Sequence, residues 1–121
     1  MYTEIQSVKP LVLQGIMLPM ITVSVFYPKT ATSRFNFDYY LKTHTPMLKR
    51  LLEPMGMQNV RLLRGKGSLD GSPAAYEVTA HFDMPSLEKL QNALAQHGPQ
   101  IIGDVPHYTD VQPVIQINEA L

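Results

Sequence analysis

Two short stretches of this 121-residue chain concentrate the side chains that move protons. One is Phe37-Asp38-Tyr39-Tyr40-Leu41-Lys42-Thr43-His44-Thr45-Pro46; the other is Gly103-Asp104-Val105-Pro106-His107-Tyr108-Thr109-Asp110. Imidazole titrates near about pH 6.5, so His44 can take or give a proton at physiological pH. Tyr40 lies four residues before it, and on a helix the two share a face with Cβ atoms about 6 Å apart. A carboxylate such as Asp104 orients an imidazole ring or holds an imidazolium. The Tyr108 hydroxyl suits a hydrogen bond to an enolate or phenolate oxygen. Together they suit proton abstraction next to a carbonyl, or deprotonation of a phenol. A general base of this kind contributes about 10²–10⁴-fold in rate.

Each residue also has a structural reading. A histidine on an apolar helix face is commonly packed and hydrogen-bonded. Asp104 suits a turn cap before Pro106, and Tyr108 suits a core aromatic with its hydroxyl at the surface. Asp110 fits the cap of a last strand. His81 shares a strand face with Glu77, as a solvated or interface pair, and His97 and His107 read as loop residues.

The elements that must position these groups follow from the periodicities. Residues 20–27 alternate Ile21, Val23 and Val25 against Thr22 and Ser24, the pattern of a half-buried strand. Asn36 can cap a helix whose apolar face is Phe37, Tyr40, Leu41, His44, Met47/Leu48, Leu51 and Leu52. Pro46 lacks the amide that would bond back to Lys42 and disfavours helical angles at Thr45, so a kink or break is expected beside His44, with Thr45 as a new N-cap. Residues 58–64 form a second strand, with Val60 and Leu62 on one face, and residues 65–72 have a hairpin-loop composition. Residues 75–83 form a third, with Tyr76, Val78, Ala80 and Phe82 against Glu77, Thr79 and His81. Ser86 caps a helix with Leu87, Leu90 and Leu94 at helical spacing, which His97-Gly98-Pro99 is expected to end. Residues 100–109 carry the second motif as a loop or short helix. Residues 110–118 form a last strand, with Val111, Ile115 and Ile117 on one side, and Pro113 argues for an edge position.

The order is β-α-β-β-α-β, an α+β, ferredoxin-like arrangement with two helices on one face of an antiparallel sheet. The uncovered face mixes Phe26, Leu63, Ala75 and Val114 with Thr22, Ser24, Thr79 and Gln116. A solvated face with scattered apolar residues is ordinary, but this mixture favours cover by a second copy of the chain, a homodimer. Residues 1–19 read as an extension or a translated leader, with Met17 and Met20 as alternative starts. Residues 20–118 form the domain and residues 119–121 a tail.

Composition excludes several function classes. One domain of this length buries about 65% of its unfolded surface, enough for a core without staples. There is no cysteine, hence no disulfide and no thiolate chemistry. Ten basic residues balance ten acidic ones, and the basic footprint of a nucleic-acid binder is missing. Residues 10–28 carry no charge, but three prolines, Gln14, Gly15 and a period-two second half speak against a membrane span, and the first nine residues lack the basic start of a signal peptide. The expected location is cytoplasmic. No histidine pair has helical metal-ligand spacing, and Gly65-Lys66-Gly67 is followed by a strand rather than a helix, so no metal or nucleotide cofactor site is assigned.

The pattern F-x-Y-Y-x-x-x-H-x-P from Phe37 to Pro46, with Pro106-His107-Tyr108-Thr109-Asp110, resembles the EthD family, named for ethyl tert-butyl ether degradation. The resemblance spans roughly residues 20–118. It implies a dimeric α+β barrel of two ferredoxin-like protomers with facing sheets, and a loose assignment as oxidoreductase. The family's polar positions fall on Tyr40, His44, Asp104, Tyr108 and Asp110. Residues 1–19 lie outside the pattern. The expectation is a protein acting on a small apolar organic compound by oxidoreductase or monooxygenase-type chemistry, with His44 as base, Asp104 its partner, and Tyr40 and Tyr108 as hydrogen-bond donors. Its electron source is not written in the sequence. Rival readings are a cofactor-independent isomerase or lyase, and a non-catalytic ligand-binding accessory protein.

Overall fold

A computed structural model describes residues 20–121, and the backbone of two short strands before them, β1 (Leu11–Leu13) and β2 (Ile16–Leu18), which pair antiparallel. The extension expected over residues 1–19 otherwise lies outside the described residues. Strand β3 (Ile21–Pro28) is followed by a helical path. It comprises α1 (Phe37–Tyr39), a π-helical turn (Tyr40–His44), α2 (Thr45–Leu52) and a 3₁₀ turn (Glu53–Met55). Strands β4 (Gln58–Arg64) and β5 (Tyr76–Met84) form a hairpin. Helix α3 (Leu87–Gly103), a 3₁₀ turn (Val105–His107) and β6 (Val114–Glu119) complete the chain. The four-stranded sheet has the order β4-β5-β3-β6, antiparallel throughout, as in a ferredoxin-like fold. β6 is an edge strand, as Pro113 beside it suggested.

Register explains the core. Val23 lies opposite Phe82 and Val25 opposite Ala80, so these side chains share the face that the helices cover. Val23, Phe82 and Met84 meet Leu52, Met57, Leu90 and Ala93 from the helical side. Leu52 and Met84 are fully enclosed. Truncating Leu52 to alanine removes about 2–5 kcal/mol of stability. Gly56 ends the first helical segment at φ 108°, where a side chain would also strike Pro85; only glycine takes that conformation without cost.

Pro46 does not break the helix. Thr45 has helical angles, and its amide bonds to the Tyr40 carbonyl five residues back, so the chain widens into one π turn before the proline. That wide turn rotates Leu41 off the apolar face to 53% exposure and leaves Tyr40 and His44 inward. Pro99 likewise fails to end its helix, and His97 is helical rather than in a loop. Pro99 and Ala95, whose carbonyl loses its amide partner, lie on the exposed side. The following turn brings Ile101 onto the core, which offsets that loss. The last strand begins at Val114 rather than at residue 110 and runs to Glu119, one residue into the expected tail. Tyr76 leaves the core face: a register shift at Tyr27/Pro28 lets it pack on Phe26, centroids 5.3 Å apart.

Candidate functional site

Both N-caps expected from sequence form and aim the site. The Asn36 side chain accepts from the Tyr39 amide at 3.0 Å, and Ser86 from the Lys89 amide at 3.1 Å. The second motif is fastened over the first helix start. The Asn36 amide donates to the Tyr108 carbonyl at 2.7 Å, and the Thr109 hydroxyl to the Arg34 carbonyl at 2.7 Å. Asp110 accepts from the Arg34 amide at 2.9 Å and from its guanidinium at 3.3 Å. Asp110 is therefore a clamp between segments, neither the cap of the last strand nor a partner of His44.

The other four sequence-predicted residues converge. His44, only 4% exposed, places Nδ1 2.9 Å from Asp104 Oδ2 and Nε2 3.3 Å from the Tyr108 hydroxyl. The π turn stacks Tyr40 on His44, rings 14° from parallel and 5.6 Å apart. Tyr108 packs on both, with centroids 5.0 and 4.6 Å away.

Three contributors were not assigned from sequence. The Tyr27 hydroxyl lies 2.7 Å from that of Tyr108, and its ring sits edge-on to that of Tyr40 with centroids 5.8 Å apart. Its signal was parity: it continues the inward series Val23, Val25, and a buried tyrosine hydroxyl needs a partner. Tyr39 donates to Asp104 Oδ1 at 2.7 Å. His107, read as a loop residue, sits in the 3₁₀ turn, stacks on Tyr39 and places Nδ1 3.3 Å from the same oxygen. Only proximity in the fold distinguishes these two from ordinary surface residues.

The electrostatics give each group a state. Burial pushes the His44 pKa below its ordinary 6.5, while the hydrogen bond and charge of Asp104 oppose that push. His44 is therefore neutral at pH 7. Burial alone would raise the Asp104 carboxyl, but hydrogen bonds from Tyr39 and His44 outweigh it and hold the group below the usual carboxylate range. An ionised carboxylate only accepts, so His44 carries its proton on Nδ1 and presents Nε2 as the basic lone pair. Burial raises Tyr27, Tyr40 and Tyr108 far above the usual phenol range, which keeps all three hydroxyls protonated.

This network closes the polar end of a cavity of about 570 Å³ between sheet and helices. Apolar side chains such as Val25, Leu48, Val60 and Ile101 line most of it, and Tyr27, Tyr40 and His44 line its polar part. The volume matches that of drug-sized ligand sites, about 300–1,000 Å³. Among the described residues no group of three His, Cys, Asp or Glu could hold a metal ion, and no helix is long and apolar enough to cross a membrane.

No protein-family model matches the chain, and no curated protein does. A crystal structure of an EthD-like protein from Ralstonia eutropha JMP134 is similar at 36% identity and TM-score 0.78, covering 85% of this chain and 93% of that one. The chain belongs to the EthD family. An EthD family protein from Bacillus halodurans C-125 shares the fold at 18% identity and TM-score 0.61, covering 84% of this chain and 99% of that one. The EthD resemblance carried by the two motifs is thus matched by the whole fold. In this EthD-family chain both motifs end at one imidazole, across 60 residues of sequence.

Proposed function

We propose that this EthD-family protein is an enzyme that removes a proton from a small apolar organic compound, with His44 as the base. The supporting observation is an uncharged imidazole that lines the polar end of an apolar cavity, with Nδ1 held by Asp104 and Nε2 3.3 Å from the Tyr108 hydroxyl. Asp104 fixes the ring and tautomer and stabilises the imidazolium once formed. Tyr40, which lines the cavity, supplies a hydrogen bond to the oxygen on which charge develops, while Tyr108 holds the imidazole at Nε2. The apolar walls select a substrate with little charge of its own, such as an enolisable ketone or a phenol. Monooxygenase-type chemistry follows if the carbanion of an activated CH₂ group meets dioxygen. The CH₂ and O₂ then become C=O and H₂O, and the substrate supplies the electrons.

The open sheet face supports a homodimer with facing sheets. Leu63 and Val114 are more than half exposed there, beside Phe26 and Tyr76, a mixture that favours burial against a second copy.

Deuterium exchange at the α-carbon of β-tetralone in D₂O, followed by NMR with an oxygen electrode in parallel, tests the chemistry. The expected result is exchange by the wild type and none above background by His44→Ala with binding retained. Oxygen uptake separates the monooxygenase from a lyase or isomerase. Equal exchange by both proteins would leave a ligand-holding accessory role as the better reading.

A further inference from the structure

The cavity that His44 lines runs well beyond its polar end. Tyr27, Val25 and Val23 line it in turn along β3. Four residues of strand at about 3.3 Å each give a run of roughly 13 Å from Tyr27 to Val23. The polar groups gather at the Tyr27 end, where Tyr40 sits edge-on to Tyr27 and stacks on His44. At the other end Val23 lies opposite Ile117 of β6.

That end is open to water along one flank. Ile115 and Ile117 lie opposite Val25 and Val23, so they share the face that the helices cover, yet they are 54% and 50% exposed. β6 is the edge strand. Leu94 and Ile102, two turns apart on one side of α3, are likewise 39% and 59% exposed. All four residues line the same cavity as His44. Exposed large apolar side chains that also wall a cavity mark a ligand-binding groove.

We propose that the ligand is elongated: a phenol or enolisable ketone whose apolar chain runs from the Tyr27 end along β3 and emerges between α3 and β6. Leu94, Ile102, Ile115 and Ile117 then select for its length. A single-ring compound reaches only part of this lining, and walls without contacting atoms lose their dispersion attraction. Each further CH₂ laid along the groove leaves water and tightens binding about fourfold. None of the four side chains is polar, so they read the length of an apolar chain and offer nothing to a charged far end. The placing of the ionisable group beside His44 rests on the function proposed above; the groove does not depend on that histidine acting as a base.

Calorimetric titration of the full chain with para-ethylphenol and para-hexylphenol tests this. The hexyl compound, four CH₂ groups longer, should bind the wild type on the order of 10²-fold tighter. Ile102→Ser and Ile117→Ser alter side chains that are at least half exposed. Each should keep its affinity for para-ethylphenol within about twofold, the range of a surface substitution, which also reports an intact fold. Each should lower the hexyl-to-ethyl ratio about fourfold or more, the share of one CH₂. No binding of either phenol by the wild type, equal affinities for the two, or a ratio that survives both substitutions would overturn the elongated ligand. Equal weakening of both phenols, with a change of mass by light scattering, would assign these side chains to a contact between copies of the chain and overturn it as well. β-Tetralone exchange on the same samples keeps the two proposals apart. Exchange without a length preference removes the groove and leaves His44 as base, whereas a length preference without exchange removes the base and leaves the groove.

Discussion

Each face of the sheet holds a histidine bonded through Nδ1, and the partners differ in kind. On the helix-covered face His44 meets the Asp104 carboxylate on one nitrogen and the Tyr108 hydroxyl on the other. On the open face His81 meets the Ser24 hydroxyl at 2.8 Å, sits edge-on to Phe26, and has its pKa lowered by burial and by the nearby Arg61 charge. The open face does contain a carboxylate, Asp83, but its oxygens are bound by Thr22 at 2.8 Å and Asn59 at 3.0 Å, with Arg61 at 3.7 Å. Asn118 reaches both Thr22 and Ser24 and ties the edge strand into this lattice. Among the described residues His81 therefore meets no anion that would stabilise its charged form. On the proposed function, His44 can hold a proton because Asp104 is reserved for it, whereas Asp83 is committed to neighbouring groups and His81 serves the packing of the sheet.

The largest expected effect breaks the pair apart directly. His44→Ala should slow β-tetralone exchange by about 10²–10⁴-fold, the usual contribution of a general base, while His81→Ala leaves it within about twofold, the range of a surface substitution. Comparable losses in both variants would mean the two faces are not functionally distinct.

A second substitution acts on the open face alone. Phe26→Asp puts an unpaired charge at the centre of the face proposed to meet a second copy, and light scattering should then report a monomer where the wild type gives a dimer. Monomeric mass for the wild type at micromolar concentration would remove the barrel assembly.

Acid sharpens the comparison more gently. His44 and His81 both titrate below 6.5 in the folded chain. As pH falls through about 6.5 the unfolded chain binds protons first, so stability is full above that pH and declines as pH falls toward the folded values. The urea midpoint should drop over this window. His44→Gln should flatten the decline more than His81→Gln, because His44 is the more deeply buried. A decline unchanged in both variants would assign it to other groups.

The smallest effect concerns Asp104. Tyr39→Phe removes one of its hydrogen bonds, worth about 0.5–1.5 kcal/mol. The Asp104 carboxyl should titrate at higher pH, read by carbon-13 NMR, with the midpoint of chemical unfolding reduced by that amount or less. An unmoved Asp104 titration would show that Tyr39 lies outside the network.

Most of the scaffold was legible because its signals are local. Period-two alternation marked the strands, and Asn36 and Ser86 marked the helix starts within one residue. Both errors over proline share one cause. The sequence shows which amide is missing, but whether the helix breaks, widens or continues depends on what the next turn buries. After Pro46 that is Leu48 and Leu52, and after Pro99 it is Ile101. The site was legible in part for the same reason. Tyr40 and His44 are neighbours on one helix, whereas the pairing of Tyr27 with Tyr108 spans 81 residues and carries no local mark.

By itself the sequence determined the order of elements, the inward face of each strand, the absence of thiol chemistry, and a histidine and tyrosine set one helical turn apart. These are properties of dihedral preference, period and composition, which act over a few residues. The tertiary structure alone decided that Asp104 belongs to His44 while Asp83 belongs to the open face, that Asp110 is a clamp, and that the Tyr27 hydroxyl meets that of Tyr108, which meets the imidazole. Each of these depends on groups brought within about 3 Å by packing, the distance at which hydrogen bonds select a tautomer and a charge state.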